Sequence, residues 1–206
     1  KRFAVWQNFY VDELINYALR TLKVDPDRIF ISGLSLGGGG CWSYASSSLS
    51  NARILAGIVP VVAPCFVKDP CIIAEAGLPV FALHALNDTI ARSYCTSNTI
   101  KRINACDAKV TPNAVYYTDG GHLVFQDRTY DTGHKFQNPN VYEWMLAQNR
   151  TLLFNKKPIA RLKATTSITM GKGLILLDAT ASTDPDGKLV GCSWISISGP
   201  QKAQIY

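Results

Sequence analysis

Gly33-Leu34-Ser35-Leu36-Gly37 sets a serine between two glycines, and Gly38, Gly39 and Gly40 follow it. A serine hydroxyl is a weak nucleophile at neutral pH. It becomes useful when a histidine can take its proton and a carboxylate orients that histidine. The supply of partners is small, because the chain holds only three histidines, His84, His122 and His134. His122 lies in "YYTDGGHLVF", where Gly120 and Gly121 let a loop fold back, and it is the expected base. His134 sits twelve residues further on in a polar stretch and reads as a surface histidine. His84 ends an apolar run and reads as a buried, hydrogen-bonded side chain that shapes the loop after it. In that loop Asp88, within "FALHALNDTI", is the expected acid; Asp107, Asp119 and Asp127 are rivals that read as solvated loop residues. The competing reading of the serine is a glycine-rich turn with Ser35 capping a helix. Ser32 and Ser43 fit the pattern less well.

These residues need elements to hold them, and the periodicity supplies candidates. "NFYVDELINYALRTL" spaces Phe9, Leu14, Ile15, Ala18, Leu19 and Leu22 as one face of a helix, and "DPDRIFISG" follows as turn and strand. "CWSYASSSL" continues as helix beyond the glycines. "RILAGIVPVVAP" and "LPVFALHAL" lack polar alternation, as expected of parallel strands covered on both faces. "SYCTSNTIKRINAC" is an amphipathic helix, "NAVYYTDGG" a strand ending in a glycine turn, and "NPNVYEWMLAQNR" a last helix. Strands alternating with helices predict an α/β sheet over residues 1–155. Ser35 then falls at a strand-to-helix junction, with Asp88 and His122 on loops after later strands. Residues 156–206 change character to short β segments separated by Gly, Asp and Pro turns, which predicts a partial all-β domain. Asp184-Pro185-Asp186-Gly187 in that tail reads as a turn, with calcium binding a minor alternative. With no initiator Met and too few tail strands to close a sandwich, the sequence reads as cut at both ends.

Composition removes several function classes. A chain of 206 residues, 47% hydrophobic and 17% charged, can bury a sizeable core. The net charge of +6 comes from scattered Lys and Arg, so no nucleic-acid partner is expected. No apolar stretch reaches the roughly 20 residues of a membrane span. No C-x-x-C pair suggests a metal, and no cofactor is expected. Six cysteines are many for a cytosolic enzyme of this size. Cys65 and Cys71 bracket a loop, and Cys95 and Cys106 bracket a helix. The expectation is therefore two local disulfides, Cys65–Cys71 and Cys95–Cys106, in an oxidising compartment (secreted, cell-surface or periplasmic), with Cys41 a buried thiol. Six reduced core cysteines is the alternative.

The runs "VDELINYALRTLKVDPDRIFISGLSLGGGGCWSYA", "LPVFALHALNDTI" and "GGHLVF...YEWMLAQNR" resemble the polyhydroxybutyrate-depolymerase-like and feruloyl or acetyl-xylan esterase-like branch of the α/β-hydrolases, over residues 1 to about 152. Gly33–Gly37 matches the G-x-S-x-G nucleophile elbow of that fold, whose triad runs Ser, Asp, His along the chain. One departure is Ala85, where the family pattern has glycine after the histidine. The resemblance implies Ser35 as nucleophile, Asp88 as acid and His122 as base. It also implies an ester substrate, on a plant polysaccharide or a polyester, cleaved through an acyl-enzyme. The backbone N–H of Leu36 would be one oxyanion donor, and the second would come from a loop upstream of Lys1. The N-terminal strands of the sheet would be missing too, so the strand carrying the elbow, central in that fold, would have an open edge. The nearest rival class is a serine peptidase of the prolyl-oligopeptidase type, with the same triad; a non-catalytic binding protein on the same scaffold is the other. "LDATASTDPDGKLVGCSWISISGP" resembles a polycystic-kidney-disease-type immunoglobulin-like module, which implies an extracellular accessory domain whose removal would spare small soluble esters.

Overall fold

The structure, a computed structural model, describes residues 7–151, 159–164, 177–183, 189, 191, 192 and 194. The chain divides into two compact units, Lys1–Leu153 and Phe154–Tyr206.

In the first unit helix α1 (Asn8–Thr21) precedes strand β1 (Phe30–Leu34), and helices α2 (Leu36–Ala45) and α3 (Leu49–Arg53) lead to β2 (Gly57–Val61). Helix α4 (Pro70–Ala76) then leads to β3 (Phe81–Ala85), α5 (Tyr94–Asn104) to β4 (Asn113–Tyr117), and α6 (Val141–Ala147) closes the unit. The four strands form one parallel sheet in the order β1-β2-β3-β4. Each crossover carries helix, as parallel pairing requires.

The two central strands are buried on both faces, as the missing polar alternation of β2 and β3 implies. All five residues of each of these strands are buried. On one face Ile58 and Ala82 join Trp42 and Tyr44 of α2, Ile73 of α4 and Ile103 of α5. On the other, Val59, Val61, Phe81 and Leu83 pack with Val124, Val141 and Trp144. Trp144 stacks on Phe81 at 5.3 Å between ring centres. Local chemistry fixes where helices begin: Asp69 caps α4 through the N–H of Cys71, with Pro70 in the first turn, and Asn140 and Glu143 form a reciprocal capping box on α6.

Three expectations need correcting. The helix expected to run on through "CWSYASSSL" stops at Ala45 and restarts at Leu49, because Ser48 accepts the N–H of Asn51 and caps a separate turn. The apolar face read on α1 is mostly open: Ile15 is buried, but Phe9, Leu14 and Leu22 are exposed, and Leu14, Ile15 and Ala18 line a cleft of about 760 Å³ along β1.

The disulfides are also paired differently. Cys65 joins Cys95 and Cys71 joins Cys106, with Cα separations of 4.7 and 5.2 Å. The expected Cys95–Cys106 bridge fails on length: helix α5 spans Tyr94–Asn104, and at about 1.5 Å per residue its two ends stand on the order of 16 Å apart, far beyond the ~4.4–6.8 Å Cα span of a disulfide. Neighbouring α4 and α5 are stapled to each other instead. Cys41 is buried and free, and burial pushes its thiol up to about 12.

In the second unit, β5 (Lys163–Ala164) pairs antiparallel with β6 (Leu177–Asp178). Most of the expected immunoglobulin-like module, including Asp184–Gly187, lies outside the described residues.

Candidate active site

Ser35 stands between the end of β1 and the first residue of α2, with φ 52° and ψ −117°. A non-glycine residue held at such angles stores of order 1–3 kcal/mol, which the surroundings must enforce. They do so by close backbone approach. A Cβ on Gly33 would lie 2.5 Å from the carbonyl carbon of Gly37, and one on Gly38 would lie 2.6 Å from the carbonyl oxygen of Val61. Ser35 N–H donates to that same Val61 oxygen at 2.9 Å, which ties the turn to the end of β2. Gly37, by contrast, has open space where a Cβ would go, so only the first glycine of the motif is sterically required.

The acid loop leaves β3 at Ala85. Asp88 is fully enclosed, and its Oδ1 accepts the N–H groups of Ile90 at 2.8 Å and Ala91 at 3.0 Å. Burial opposes its ionisation, but the hydrogen bonds from His122 and from these two amides outweigh it and hold the carboxyl below the usual carboxylate range. His84, also fully enclosed, braces the loop from beneath. The Ala91 carbonyl 2.7 Å away can only accept, so His84 Nε2 carries the proton, and Nδ1 accepts from the Thr96 hydroxyl at 2.7 Å.

The base loop leaves β4 at Tyr117 and turns back through Gly120 and Gly121, at φ 97° and 60°. Arg128 secures it by bonding both the carboxylate and the carbonyl of Asp119 while lying over the rings of Tyr117 and Phe136. Next comes a 3-10 turn, Gly121–Leu123, that delivers His122. Its Nδ1–H donates to Asp88 Oδ2 at 2.8 Å, and its Nε2 lies 2.8 Å from Ser35 Oγ, as acceptor of the hydroxyl proton.

The fold thus brings Ser35, His122 and Asp88 into one hydrogen-bonded chain, with the N–H of Leu36 opening α2 beside the serine. An N–H in the first turn has no acceptor inside its own helix and lies at the positive end of the dipole. Of the rivals, Asp107 is exposed just past the end of α5, and the others are committed elsewhere. Ser32 bonds Tyr130 and Ser43 bonds Asn8; His134 bonds Glu143 of the α6 capping box at 2.7 Å; Asp119 and Asp127 face Arg128. Leu34, Leu36, Leu86, Ile90 and Leu123, neighbours of the three residues in sequence, are all exposed. Among the described residues no group of three or more His, Cys, Asp or Glu side chains could hold a metal ion. No helix among them is long and apolar enough to cross a membrane.

A crystallised thermostable esterase superposes on 68% of this chain and 36% of its own, with a TM-score of 0.52 and 19% sequence identity. The parallel sheet flanked by helices is shared with that esterase and fits the α/β-hydrolase fold. This chain spans about a third of that esterase's length. SOBER1 from Arabidopsis thaliana matches at 20% identity over 56% of this chain and 54% of its own, with a TM-score of 0.43. An acylaminoacyl peptidase from Pyrococcus horikoshii matches at 11% identity over 57% and 23%, with a TM-score of 0.46. No family model matches the sequence, and no curated protein does.

Two features of this site had no reading in the sequence. One is the crossed cysteine pairing, whose Cys65–Cys95 bridge fastens the first turn of α5, and with it Thr96, beside the acid loop. The other is Asn87, whose amide bonds across to the base loop. Asn in a turn is ordinarily explained by local backbone preference, so sequence gave no reason to look for a distant partner.

Proposed function

We propose that this chain carries the catalytic part of a serine carboxylic-ester hydrolase, with Ser35 as nucleophile, His122 as base and Asp88 as its orienting acid. The observation that carries it is the unbroken path from Ser35 Oγ through both ring nitrogens of His122 to a fully enclosed carboxylate, each step 2.8 Å.

Ser35 Oγ attacks the ester carbonyl carbon while His122 Nε2 takes the hydroxyl proton. The enclosed Asp88 carboxylate keeps Nδ1 protonated and stabilises the imidazolium as it forms. Negative charge gathers on the carbonyl oxygen, to which the Leu36 N–H donates. His122 then returns the proton to the departing alkoxide, leaving an acyl-serine. Water repeats the sequence, with His122 again as base, and releases the acid.

The two disulfides favour an oxidising compartment and so a secreted or cell-surface setting. The resemblance in sequence favours an ester borne on a polysaccharide or polyester. The decisive measurement is labelling with a fluorophosphonate, in which a Ser35 Oγ–P bond forms and fluoride leaves, followed by turnover of p-nitrophenyl acetate and butyrate beside a p-nitroanilide peptide. Label mapped to Ser35 with ester turnover far above amide turnover is expected. Label elsewhere, or faster amide cleavage, would sink the proposal.

A further inference from the structure

We propose that Asn87 is a positioning residue for His122, its side-chain amide acting as a latch between the acid and base loops one residue ahead of the two groups that must meet. This rests on the reading of Ser35, His122 and Asp88 as a triad.

Strands β3 and β4 are paired in parallel up to Ala85 and Tyr117, and Leu86 N–H donates to the Tyr117 carbonyl in a last main-chain link at 2.8 Å. Beyond it the chains leave the sheet, yet they remain cross-linked in step. Asn87 Oδ1 accepts the N–H of Gly121 at 2.8 Å, and Asp88 Oδ2 accepts Nδ1–H of His122 at 2.8 Å. Both contacts join residues 34 apart, so they are consecutive rungs. In the strands the paired residues are 32 apart. The base loop is therefore two residues longer than the acid loop, and the excess is taken up where Gly120 and Gly121 adopt positive φ.

That detour explains the need for a latch. A Cβ on Gly121 would meet nothing within 4 Å, so no side chain stands close on that side of the residue directly before His122. Glycine itself is indifferent among many backbone angles. Upstream, a Cβ on Gly120 would lie 2.6 Å from the Val124 side chain and 3.3 Å from that of Arg128, a crowding that Gly121 does not share. The amide oxygen of Asn87 accepts the Gly121 N–H where the main-chain ladder has ended. Asn87 is exposed, so it can be changed without disturbing the core.

A base displaced by about 1 Å loses on the order of 10²-fold in rate. On p-nitrophenyl butyrate, Asn87→Ala is expected to lower kcat roughly 10- to 100-fold while KM moves less than about threefold. Asn87→Asp keeps an acceptor oxygen at the same reach and is expected to restore kcat to within roughly fivefold of the native protein. Fluorophosphonate labelling of Ser35 should slow in step with kcat. Labelling of the native protein at Ser35 that Asn87→Ala leaves just as fast would overturn the latch alone, and so would equal losses in Asn87→Ala and Asn87→Asp. A rate loss that merely follows a loss of folded protein in a urea titration would also overturn it. Failure of the native protein to label at Ser35 overturns the triad reading and the latch with it.

Discussion

His84 Nε2 lies 3.5 Å from Asp88 Oδ2, yet it gives its proton to the Ala91 carbonyl at 2.7 Å. The ring therefore serves the loop that carries the acid. Enclosure pushes the His84 pKa down, against the opposing pull of the Ala91 bond and the Asp88 charge, with His122 pressing it further down.

A lowered histidine pKa has a definite sign in stability. The unfolded chain takes up a proton near pH 6.5, whereas the folded one resists it to lower pH. The contribution of neutral His84 is complete above that unfolded pKa and is lost as pH falls through the window towards the folded value. Asp88, held below the usual carboxylate range by the hydrogen bonds it accepts, stays ionised there. Urea midpoints at pH 7 and pH 5 should fall further for the native protein than for His84→Gln. Parallel falls would show that His84 does not drive the change.

The choice between His122 and His134 is tested by their alanine variants. His122→Ala removes the only ring bonded to Ser35 among the described residues and should lower kcat by at least about 10⁴-fold. His134→Ala breaks a contact with Glu143 on the surface and should leave most of the turnover in place. The reverse result in a p-nitrophenyl acetate assay would reassign the base.

Peptide mapping without reduction should recover Cys65 linked to Cys95 and Cys71 linked to Cys106. Closing a loop of 35 residues, as Cys71–Cys106 does, restricts the unfolded chain by about 4 kcal/mol. The double variant Cys71→Ser, Cys106→Ser should lose a large part of that in denaturant unfolding. Recovery of the two sequence-local pairs instead would contradict the packing of α4 against α5.

The two glycines flanking Ser35 should respond oppositely. Gly33→Ala forces a methyl into the Gly37 backbone at 2.5 Å and should lower the melting temperature. Gly37→Ala meets no atom within 4 Å and lies in helix α2, where alanine is favoured over glycine by roughly 0.5–1 kcal/mol, so it should raise the melting temperature. Thermal unfolding of both variants decides it. Equal losses would mean that the turn needs both glycines.

The α/β alternation could be read from the chain because its signals are local. Apolar runs without polar alternation at Gly57–Val61 and Phe81–Ala85 mean strands covered on both faces, and a serine among glycines at a strand end means a turn that few residues tolerate. The prominence of Ser35, Asp88 and His122 among the alternatives came from the same source, since each follows a predicted strand. Where sequence failed, the question was one of distance between elements. The apolar stripe of α1 marked a helix but not how much of it would be covered. The cysteines looked paired along the chain because a list of residues does not display that an intervening helix separates Cys95 from Cys106 by its own length.

Sequence alone therefore set the element types, the strand ends and the short roster of groups able to do acyl chemistry, since backbone propensity, periodicity and side-chain type are properties of neighbours along the chain. Only the tertiary structure decided which neighbours across space they acquired. Parallel pairing of β3 with β4 put Asp88 beside His122, the Val61 carbonyl held the Ser35 backbone N–H at its turn, and the bond from Gly121 to Asn87 spanned 34 residues. Contacts of that kind depend on sheet register and on how loops of unequal length fold back over strand ends. Those are set by the packing of the whole sheet, which no short stretch of sequence specifies.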